Sequence, residues 1–330
     1  MKYRQFGKTD LLVSEIGFGA WAIGGAAKVG SLPIGWGKTD DNESVRALQT
    51  AFEEGINFYD TADFYGLGHS EDLIGKVFEN DDRVIIATKV GQKAGLTKPV
   101  DIDYSKEYIL RACEASLRRL KRNCIDYYQL HVAGIEHLHQ GECIEAMNLL
   151  QQQGKIRYWG ISLFTYNPFP EAEYILQHQL GHGFQLAFNM INQKAVPLFH
   201  EMQQKGYGII ARMPLQFGLL SGKFTSSTQF DETDHRSFRI TPAIIDKTNV
   251  LLQKLEGLCA KYRIDKAFLA LGFILSFPEI STIIPGIRTA QQATVNSRTA
   301  IELQPEEKQL ILDLYPSEFL PLLQQMQLQG

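Results

Sequence analysis

The chain has 330 residues, 44% of them hydrophobic, and a formal net charge of −4 at neutral pH. This balance is ordinary for a globular protein and excludes the strongly basic surface that binds nucleic acid or an anionic membrane. No apolar run is long enough to span a bilayer, and the first residues lack the apolar segment of a secretory signal. We therefore expect a cytoplasmic protein with no obligate protein partner.

The first sixteen residues predict a β-hairpin with its turn at 7–10. A short strand over 16–20 follows and ends in glycines. The spacing Gly17-x-Gly19-x-x-Ala22 superficially matches a dinucleotide-binding fingerprint, which needs a helix directly after the glycines. Because the continuation G-G-A-A-K-V-G-S-L-P-I-G-W-G is typical of a loop, we reject a Rossmann domain.

Strands and helices alternate through the rest of the chain. Further strands are predicted at 57–60, 83–90, 125–130, 157–161, 184–188, 207–211 and 281–284. Helices are predicted at 40–54, 70–79, 105–119, 142–153, from 168 onward, and at 196–205, 243–262, 265–276, 290–300 and up to 327. Asp40 with Glu43 predicts a capping box, and Ser70 and Ser105 are predicted N-caps.

The count of eight strands with helices between them predicts an α/β fold with a parallel sheet. In a chain of this length it favours a (β/α)8 TIM barrel, here with an N-terminal β-hairpin and two extra helices in the C-terminal half. No linker divides the chain, so residues 1–330 are expected to form one domain. The Gly- and Ser-rich segment 218–239 is too long for a plain connection and predicts a lid or binding loop.

Four polar residues fall at matched places in this pattern. Asp60 ends one strand and Tyr65 follows one loop later, while Lys89 and His131 end the next two strands. Each also has an ordinary explanation as a turn former, a packing phenol, a solvated strand end or a core histidine. Because barrel active sites lie at the C-terminal ends of the strands, the shared register favours an acid–base cluster.

A metal site is the weaker interpretation of the histidines. His131, Glu136, His137, His139 and Glu142 lie close in sequence, but a polar loop after a strand explains them as well, and we predict no metal. The four cysteines form neither a C-x-x-C pair nor zinc spacing, and each is expected to be a small buried apolar group. They are Cys113, Cys124, Cys143 and Cys259.

Six stretches together resemble the aldo-keto reductase superfamily, in particular its bacterial members. They are G-I-N-F-Y-D-T-A-D-F-Y-G, A-T-K-V-G, Y-Y-Q-L-H, G-K-I-R-Y-W-G-I-S, P-L-Q-F-G-L-L-S-G-K-F and I-I-P-G-I-R. The resemblance implies a β/α-barrel that binds NADP(H) in an extended pose and reduces aldehydes or ketones to alcohols. It also implies that Asp60, Tyr65, Lys89 and His131 are the catalytic tetrad.

The expected chemistry follows from the pKa of a phenol, which is near ~10 for free tyrosine. We expect the Lys89 ammonium to lower the pKa of Tyr65 by ~2–3 units, and Asp60 to keep Lys89 charged and oriented. His131 would hold the carbonyl oxygen beside Tyr65. Tyr65 would then supply the proton as hydride adds to carbon.

The resemblance also implies a set of cofactor contacts. Ser162 and Gln185 would bind the carboxamide, the loop from 214 would cross the pyrophosphate with charge from Lys223, and Arg288 would grip the 2′-phosphate with its planar fork. Gln292 and Asn296, which lie one helical turn apart, would contact adenine. The full set is Gly19, Ala20, Trp21, Asp60, Ser162, Gln185, Arg212, Pro214, Leu215, Gly218, Leu220, Lys223, Gly286, Arg288, Gln292 and Asn296.

The sequence departs from the family pattern at two positions. Leu163 stands where many members have Asn, so one carboxamide contact is missing or remade. Arg212 stands where many have a Tyr that stacks on the nicotinamide, and its flat guanidinium can stack instead. An apolar substrate wall and core packing both remain open as explanations for Trp21, Trp36, Phe64 and Phe164.

Three functions remain in competition. The leading hypothesis is an NADPH-dependent carbonyl reductase acting on a small molecule. The first alternative is a regulatory NADPH-binding protein with slow turnover, since channel β-subunits share the superfamily. The second is an aldolase that forms a Schiff base through Lys89. The sequence does not identify the physiological carbonyl, because loops set the substrate choice in this fold.

Overall fold

The computed structural model describes residues 1–30, 32–95, 100–298 and 301–329. In chain order the strands are β1 Tyr3–Gln5, β2 Leu12–Ser14, β3 Phe18–Gly19, β4 Lys28–Val29, β5 Leu32–Pro33, β6 Phe58–Asp60, β7 Ile85–Val90, β8 Gln92–Ala94, β9 Val100–Ile102, β10 Ile125–His131, β11 Ile156–Ser162, β12 Gly183–Ala187, β13 Gly208–Arg212 and β14 Thr282–Ile284.

The α-helices are α1 Asp41–Glu53, α2 His69–Phe78, α3 Lys106–Leu120, α4 Ile135–Gln140, α5 Glu142–Gln152, α6 Phe169–His178, α7 Val196–Gln204, α8 Arg236–Arg239, α9 Pro242–Gln253, α10 Glu256–Tyr262, α11 Lys266–Leu275, α12 Ala290–Ser297, α13 Pro305–Asp313 and α14 Leu320–Gln327. Short 3₁₀ turns lie at Ala20–Ile23, Tyr65–Gly68 and Gln216–Ser221, and a π-helical turn lies at Tyr315–Phe319.

Eight parallel strands form the central sheet, in the order β3-β6-β7-β10-β11-β12-β13-β14. The two outer strands meet through backbone hydrogen bonds, in which Gly17 N–H donates to Ile283 O at 2.7 Å and Ile283 N–H donates to Glu15 O at 3.0 Å. The sheet is therefore a closed barrel, and the predicted (β/α)8 TIM barrel is confirmed. Its register pairs His131 with Ser162 and Ser162 with Gln185, which places these residues side by side at one rim.

The N-terminal hairpin closes the opposite end of the barrel. Strands β1 and β2 pair antiparallel, and Phe6 beyond them packs against Tyr127 inside the barrel at a ring-centroid distance of 4.9 Å. A second apolar core therefore fills the barrel below the site. The main core lies between the strands and the surrounding helices, so β7 and β10 are buried along their whole length.

One predicted cap is wrong, and one predicted capping box is incomplete. Helix α2 begins at His69, and the Ser70 hydroxyl donates instead to Ala20 O at 3.0 Å. Asp40 does cap α1, but Glu43 does not complete the capping box, because its carboxylate binds Arg46 and the Ala290 N–H. The Ser105 cap of α3 is present.

Other differences concern short elements. The sequence missed the strand pairs β4–β5 and β8–β9, and it missed α4, which occupies the predicted loop after His131. The predicted helix 243–262 is divided into α9 and α10. At 254–255 each backbone N–H donates to the carbonyl three residues earlier instead of four, which is a 3₁₀ pattern. Segment 218–239 contains part of a 3₁₀ turn and α8. The predicted end of the helix at 300 lies outside the described residues.

Helix α4 also separates the histidines that suggested a metal. The His137 ring packs against Tyr104, and the His139 ring packs against Tyr174. Within the described ranges, no three metal-binding side chains are grouped. None of the helices in those ranges combines the length and hydrophobicity that a bilayer crossing requires.

Candidate active site

Lys89 is the centre of a fully buried hydrogen-bonded cluster. Its ammonium donates to Asp60 Oδ2 at 2.6 Å, to Thr61 O at 2.7 Å and to Tyr65 Oη at 3.1 Å. An ammonium has three N–H donors, so all of them are used. The Tyr65 oxygen accepts from Lys89, which leaves the phenolic proton available to another acceptor.

Asp60 is held from its other side by two amides. Gln185 Nε2 donates to Asp60 Oδ1 at 2.7 Å, and Gln129 Nε2 donates to the same oxygen at 3.2 Å. The carboxylate therefore has partners on both oxygens, as a buried charge requires. This support fixes Asp60 beside Lys89 and, through Lys89, fixes the Tyr65 hydroxyl.

Tyr65 and His131 share the floor of a cavity. Trp21 packs edge-on against Tyr65, with ring centroids 4.7 Å apart, and the His131 ring lies 5.8 Å from Tyr65. The His131 carbonyl accepts from the Tyr104 hydroxyl. The next residue, Val132, has φ of 66°. Because a β-branched residue rarely adopts this conformation, the rim carries backbone strain directly beside His131.

The protonation states follow from burial and from neighbouring cations. Burial and the positive charges of Lys89 and Arg212 hold the pKa of His131 well below 6.5, so the imidazole is neutral near pH 7. Burial acts against the charge of Lys89, but Asp60 and Tyr65 outweigh it and raise the Lys89 pKa. The ammonium is therefore charged.

The expected drop in the Tyr65 pKa is wrong in direction. Lys89 does lower the pKa, but burial of the phenol outweighs it, and the pKa is raised above 10.0. The phenol is therefore protonated near neutral pH. The Lys89 ammonium lies 3.1 Å from the Tyr65 oxygen, where its charge favours the phenolate form.

A cavity of about 870 Å³ extends from these residues across the mouth of the barrel to α12. Most of the predicted cofactor residues line it, and they are Gly19, Trp21, Asp60, Ser162, Gln185, Arg212, Pro214, Leu215, Gly218, Lys223, Gly286, Gln292 and Asn296. Gly218 has φ of 94°, a conformation that favours glycine. Ala20 and Leu220 do not line the cavity, since both are fully buried.

Arg288 also lies outside the lining. Its guanidinium donates to Trp36 O at 3.2 Å and to Lys38 O, and its backbone N–H donates to Gln292 Oε1 at 2.8 Å. The side chain therefore links the start of α12 to the loop at 36–38. Its predicted contact with a 2′-phosphate remains a prediction.

The two departures from the family pattern meet in one contact. Arg212 Nη2 donates to Leu163 O at 2.9 Å and to Thr165 Oγ1 at 3.0 Å. Leu163 itself is buried, and its N–H donates to Gln185 O at 2.8 Å. Position 163 thus contributes its backbone here, while Arg212 lines the cavity.

For the four aromatic residues left open between a substrate wall and core packing, the structure gives a divided answer. Trp21 and Trp36 line the cavity. Phe64 does not, because it packs with Val29 and Ile34 in a separate apolar cluster. Phe164 is 41% exposed and also lies outside the lining.

Two loops join across the mouth of the barrel. Residues 34–37 and 233–236, here named the crossing strap, are linked by bridges from Gly35 and Trp36 to Asp234. His235 in the strap packs edge-on against Trp21 at 5.7 Å and stacks on Trp36 at 6.3 Å. Burial lowers the pKa of His235 to about 4, so it is neutral near pH 7. The predicted lid segment thus forms part of the roof of the cavity.

Sequence reasoning missed several residues of the site. Gln129 was detectable, because it lies two positions before His131 and alternation places both on the same face of β10. Tyr166, Phe217, His235 and Arg239 also line the cavity. They come from loops and short turns, whose path no periodic pattern encodes, so the sequence carried no comparable signal for them.

Comparisons with known proteins agree with this architecture. The family model described as "Aldo/keto reductase family" matches residues 15–315. The uncharacterized oxidoreductase YqkF of Bacillus subtilis is 29% identical over 302 residues, which cover 91% of each chain. A probable voltage-gated potassium channel subunit beta of Arabidopsis thaliana is 25% identical over 335 residues, covering 95% of each.

A solved structure gives the same result. Aldo-keto reductase AKR11C1 from Bacillus halodurans, in its holo form, is 30% identical with a TM-score of 0.78, covering 96% of this chain and 97% of that one. For the apo form of the same protein the TM-score is 0.72. The chain therefore belongs to the aldo/keto reductase family.

Proposed function

We propose that this protein is an NADPH-dependent reductase that converts aldehydes or ketones to alcohols, with Tyr65 as the general acid. The observation that carries the proposal is the contact between the Lys89 ammonium and the Tyr65 oxygen, 3.1 Å long and backed by Asp60, at the floor of a cavity. A phenol that accepts from Lys89 keeps its proton for a substrate oxygen.

The residues would act in a simple order. When bound, NADPH supplies the hydride. The neutral His131 would hold the carbonyl oxygen next to Tyr65, which gives up its proton as charge develops on that oxygen. The phenolate formed is then stabilised by Lys89, whose own charge is balanced by Asp60. No free alkoxide has to form.

The residues of the cavity fit a dinucleotide. The cavity volume is in the range of ligand sites, and its lining runs from Asp60 to Asn296 on α12. Ser162 and Gln185 lie side by side at the catalytic end, where a carboxamide would bind. Trp21 Nε1 and Arg212 Nε are buried and lack a hydrogen-bond partner among the described residues, as expected of donors that await a ligand. The higher similarity to the holo form of AKR11C1 supports a formed site.

The direct test measures NADPH oxidation with a panel of aldehydes, for the natural chain and for Tyr65→Phe. We expect the variant to lose roughly 100- to 10,000-fold in kcat/KM, which is the usual contribution of a general acid. NADPH binding, followed by nucleotide fluorescence, should change little. Full activity in Tyr65→Phe would remove Tyr65 from the mechanism.

A regulatory role is the second candidate, supported by the similarity to a probable channel β-subunit. It predicts tight NADPH binding with at most one slow turnover. Steady-state oxidation of NADPH over many turnovers would exclude it. The Schiff-base aldolase is disfavoured, because Lys89 is fully buried and does not line the cavity.

Two broader expectations remain proposals. We propose that residues 1–330 form a single domain, which limited proteolysis would test by yielding no stable half-length fragment. We also propose a cytoplasmic location, which fractionation of the source cells would test.

A further inference from the structure

The arginines of this chain divide sharply by environment. Most are either solvent-exposed or paired with a carboxylate within 4.0 Å. In the part of the chain that the structure describes, three are neither, namely Arg212, Arg239 and Arg288. Arg288 has backbone carbonyls as partners. Arg212 and Arg239 both line the cavity, and neither forms an ion pair with a carboxylate among the described residues.

Arg239 is the less satisfied of the two. It ends α8 on the wall of the cavity, and its Nε is buried without a hydrogen-bond partner among the described residues. Its guanidinium carbon lies 5.9 Å from the ring centre of Phe217 and 5.3 Å from that of Phe238. Burial lowers the Arg239 pKa, which is the direction expected of a cation that has lost water without gaining an anion.

Arg212 has only neutral partners. Its bonds run to a backbone carbonyl, a hydroxyl and the sulfur of Met213, and its Nε is also without a partner. Both arginines act on Tyr166, whose pKa is raised by burial and pulled down by Arg239 and Arg212. Tyr166 lines the same cavity. Two cations that form no ion pair within the described residues and one phenol therefore line the same cavity.

This part of the cavity is its catalytic end. Arg212 ends β13, and its Nη2 donates at 2.9 Å to the carbonyl of Leu163, the residue after Ser162, which pairs with His131 in the barrel register. Arg239 lies beside the Phe217 ring, which packs against His235 of the crossing strap at 5.1 Å, and His235 in turn packs on Trp21 above Tyr65. The predicted adenosine contacts lie instead on α12. The surplus positive charge therefore faces the space where a carbonyl substrate would bind.

We propose that Arg239, with Tyr166 and the positive charge of Arg212, forms a subsite for an anionic substituent of the carbonyl substrate, a carboxylate or a phosphate. The proposal rests on the proposed reductase function and narrows its substrate class. A guanidinium binds such oxyanions through parallel N–H donors, and a partly buried setting strengthens the attraction relative to water. The substrates preferred by this protein should thus be negatively charged aldehydes or ketones.

The test compares matched aldehydes in the natural chain and in Arg239→Gln. The carboxylate pair is 4-formylbenzoate and its methyl ester, and the phosphate pair is 4-formylphenyl phosphate and 4-methoxybenzaldehyde. We expect Arg239→Gln to lower kcat/KM for an anionic member roughly 10- to 100-fold, the loss expected for one charged hydrogen-bonded pair. The neutral members should change less than about threefold. The pair with the larger effect identifies the anion.

Two further variants serve as controls. Arg118→Gln removes the same charge from an exposed position on α3. In neither aldehyde pair should it alter the ratio of kcat/KM between the charged and the neutral member. Arg239→Lys keeps the charge but loses the fork, and it should retain part of the preference for anions. Thermal unfolding of each variant checks that the fold is intact, and Arg239→Lys keeps the test decisive if Arg239→Gln fails to fold.

The other outcomes are also informative. An unchanged ratio of charged to neutral substrate in Arg239→Gln would overturn the proposal. Weaker NADPH binding with an unchanged ratio would do the same and assign Arg239 to the cofactor. If no aldehyde is reduced, the proposed function fails, and calorimetry with benzoate decides the subsite separately. Benzoate binding that Arg239→Gln weakens would support the subsite, and equal or absent binding would reject it.

Discussion

Two groups of cations lie at the mouth of this barrel, one fully buried and one partly buried, and their charges are balanced in different ways. Lys89 is fully buried, but each of its three N–H groups has an acceptor and Asp60 supplies an opposite charge at 2.6 Å. Arg212 and Arg239 have no carboxylate partner in the described ranges. The first group is complete without a ligand, whereas the second is not.

The difference matches the two tasks that we propose for this cavity. A proton donor must be held in one geometry, and the network around Lys89 does this through bonds within the protein. A binding group must leave its donors available, so that the ligand replaces the water lost on burial. Breaking the first group should therefore affect folding and catalysis together, while changing the second should affect selectivity.

The largest effect is expected from Lys89→Met. The substitution leaves the Asp60 carboxylate buried without its counterion, and breaking such a pair typically costs about 3–5 kcal/mol of stability. It also removes the charge that stabilises the Tyr65 phenolate, so kcat/KM should fall at least ~100-fold. Urea unfolding and NADPH oxidation measure the two losses.

The double variant Asp60→Asn with Lys89→Met is the matched control. It removes both charges, so most of the stability should return while activity stays low, since replacing a whole buried pair is often neutral. If Lys89→Met alone were as stable as the natural chain, the Lys89–Asp60 pair would not make the contribution to stability that we assign to it. Recovered activity in the double variant would show that the ammonium is dispensable.

The barrel could be predicted from the sequence, because the burial of each strand and helix face dictates the spacing of hydrophobic residues. Strands buried on both faces, such as β7, are mostly apolar, and amphipathic helices separate them. Features that depend on which of several hydrogen-bond partners a side chain takes were less predictable. Ser70 has the right residue type for an N-cap, but its hydroxyl reaches Ala20 O, a contact made only once the two loops are packed. Helix α4 is six residues long, too short for a periodic signal.

The site divides in the same way. Asp60, Lys89 and His131 were recognisable because they lie at strand ends, where the fold dictates position. Arg239 was not, because it lies in a long connection whose path depends on tertiary contacts such as the crossing strap. The sign of the Tyr65 pKa shift was also missed, because the sequence shows the neighbouring cation but not the extent of burial.

The positive charge of Arg288 is balanced in a third way, by backbone carbonyls. Substitution of Arg288 should have the next largest effect. Its guanidinium is bonded to the carbonyls of Trp36 and Lys38. If it also binds the 2′-phosphate, Arg288→Ala should weaken NADPH binding roughly 10- to 100-fold and NADH binding much less. Fluorescence titration with both nucleotides measures the difference. Equal losses for both would show that Arg288 only anchors the loop at 36–38.

The smallest effect is expected in the pH dependence of kcat/KM for a neutral aldehyde. The positions of the two limbs of this profile test the influence of the Arg212 charge on Tyr65 and His131. Reduction needs a protonated Tyr65, which holds below its raised pKa and is lost only as pH rises above 10.0. The proposed role of His131 needs a neutral imidazole, which holds above a pKa well below 6.5. The profile should therefore be flat between about pH 6.5 and 9. Since Arg212 lowers both pKa values, Arg212→Gln should move both limbs to higher pH, whereas a step near pH 7 in the natural chain would contradict the assigned protonation states.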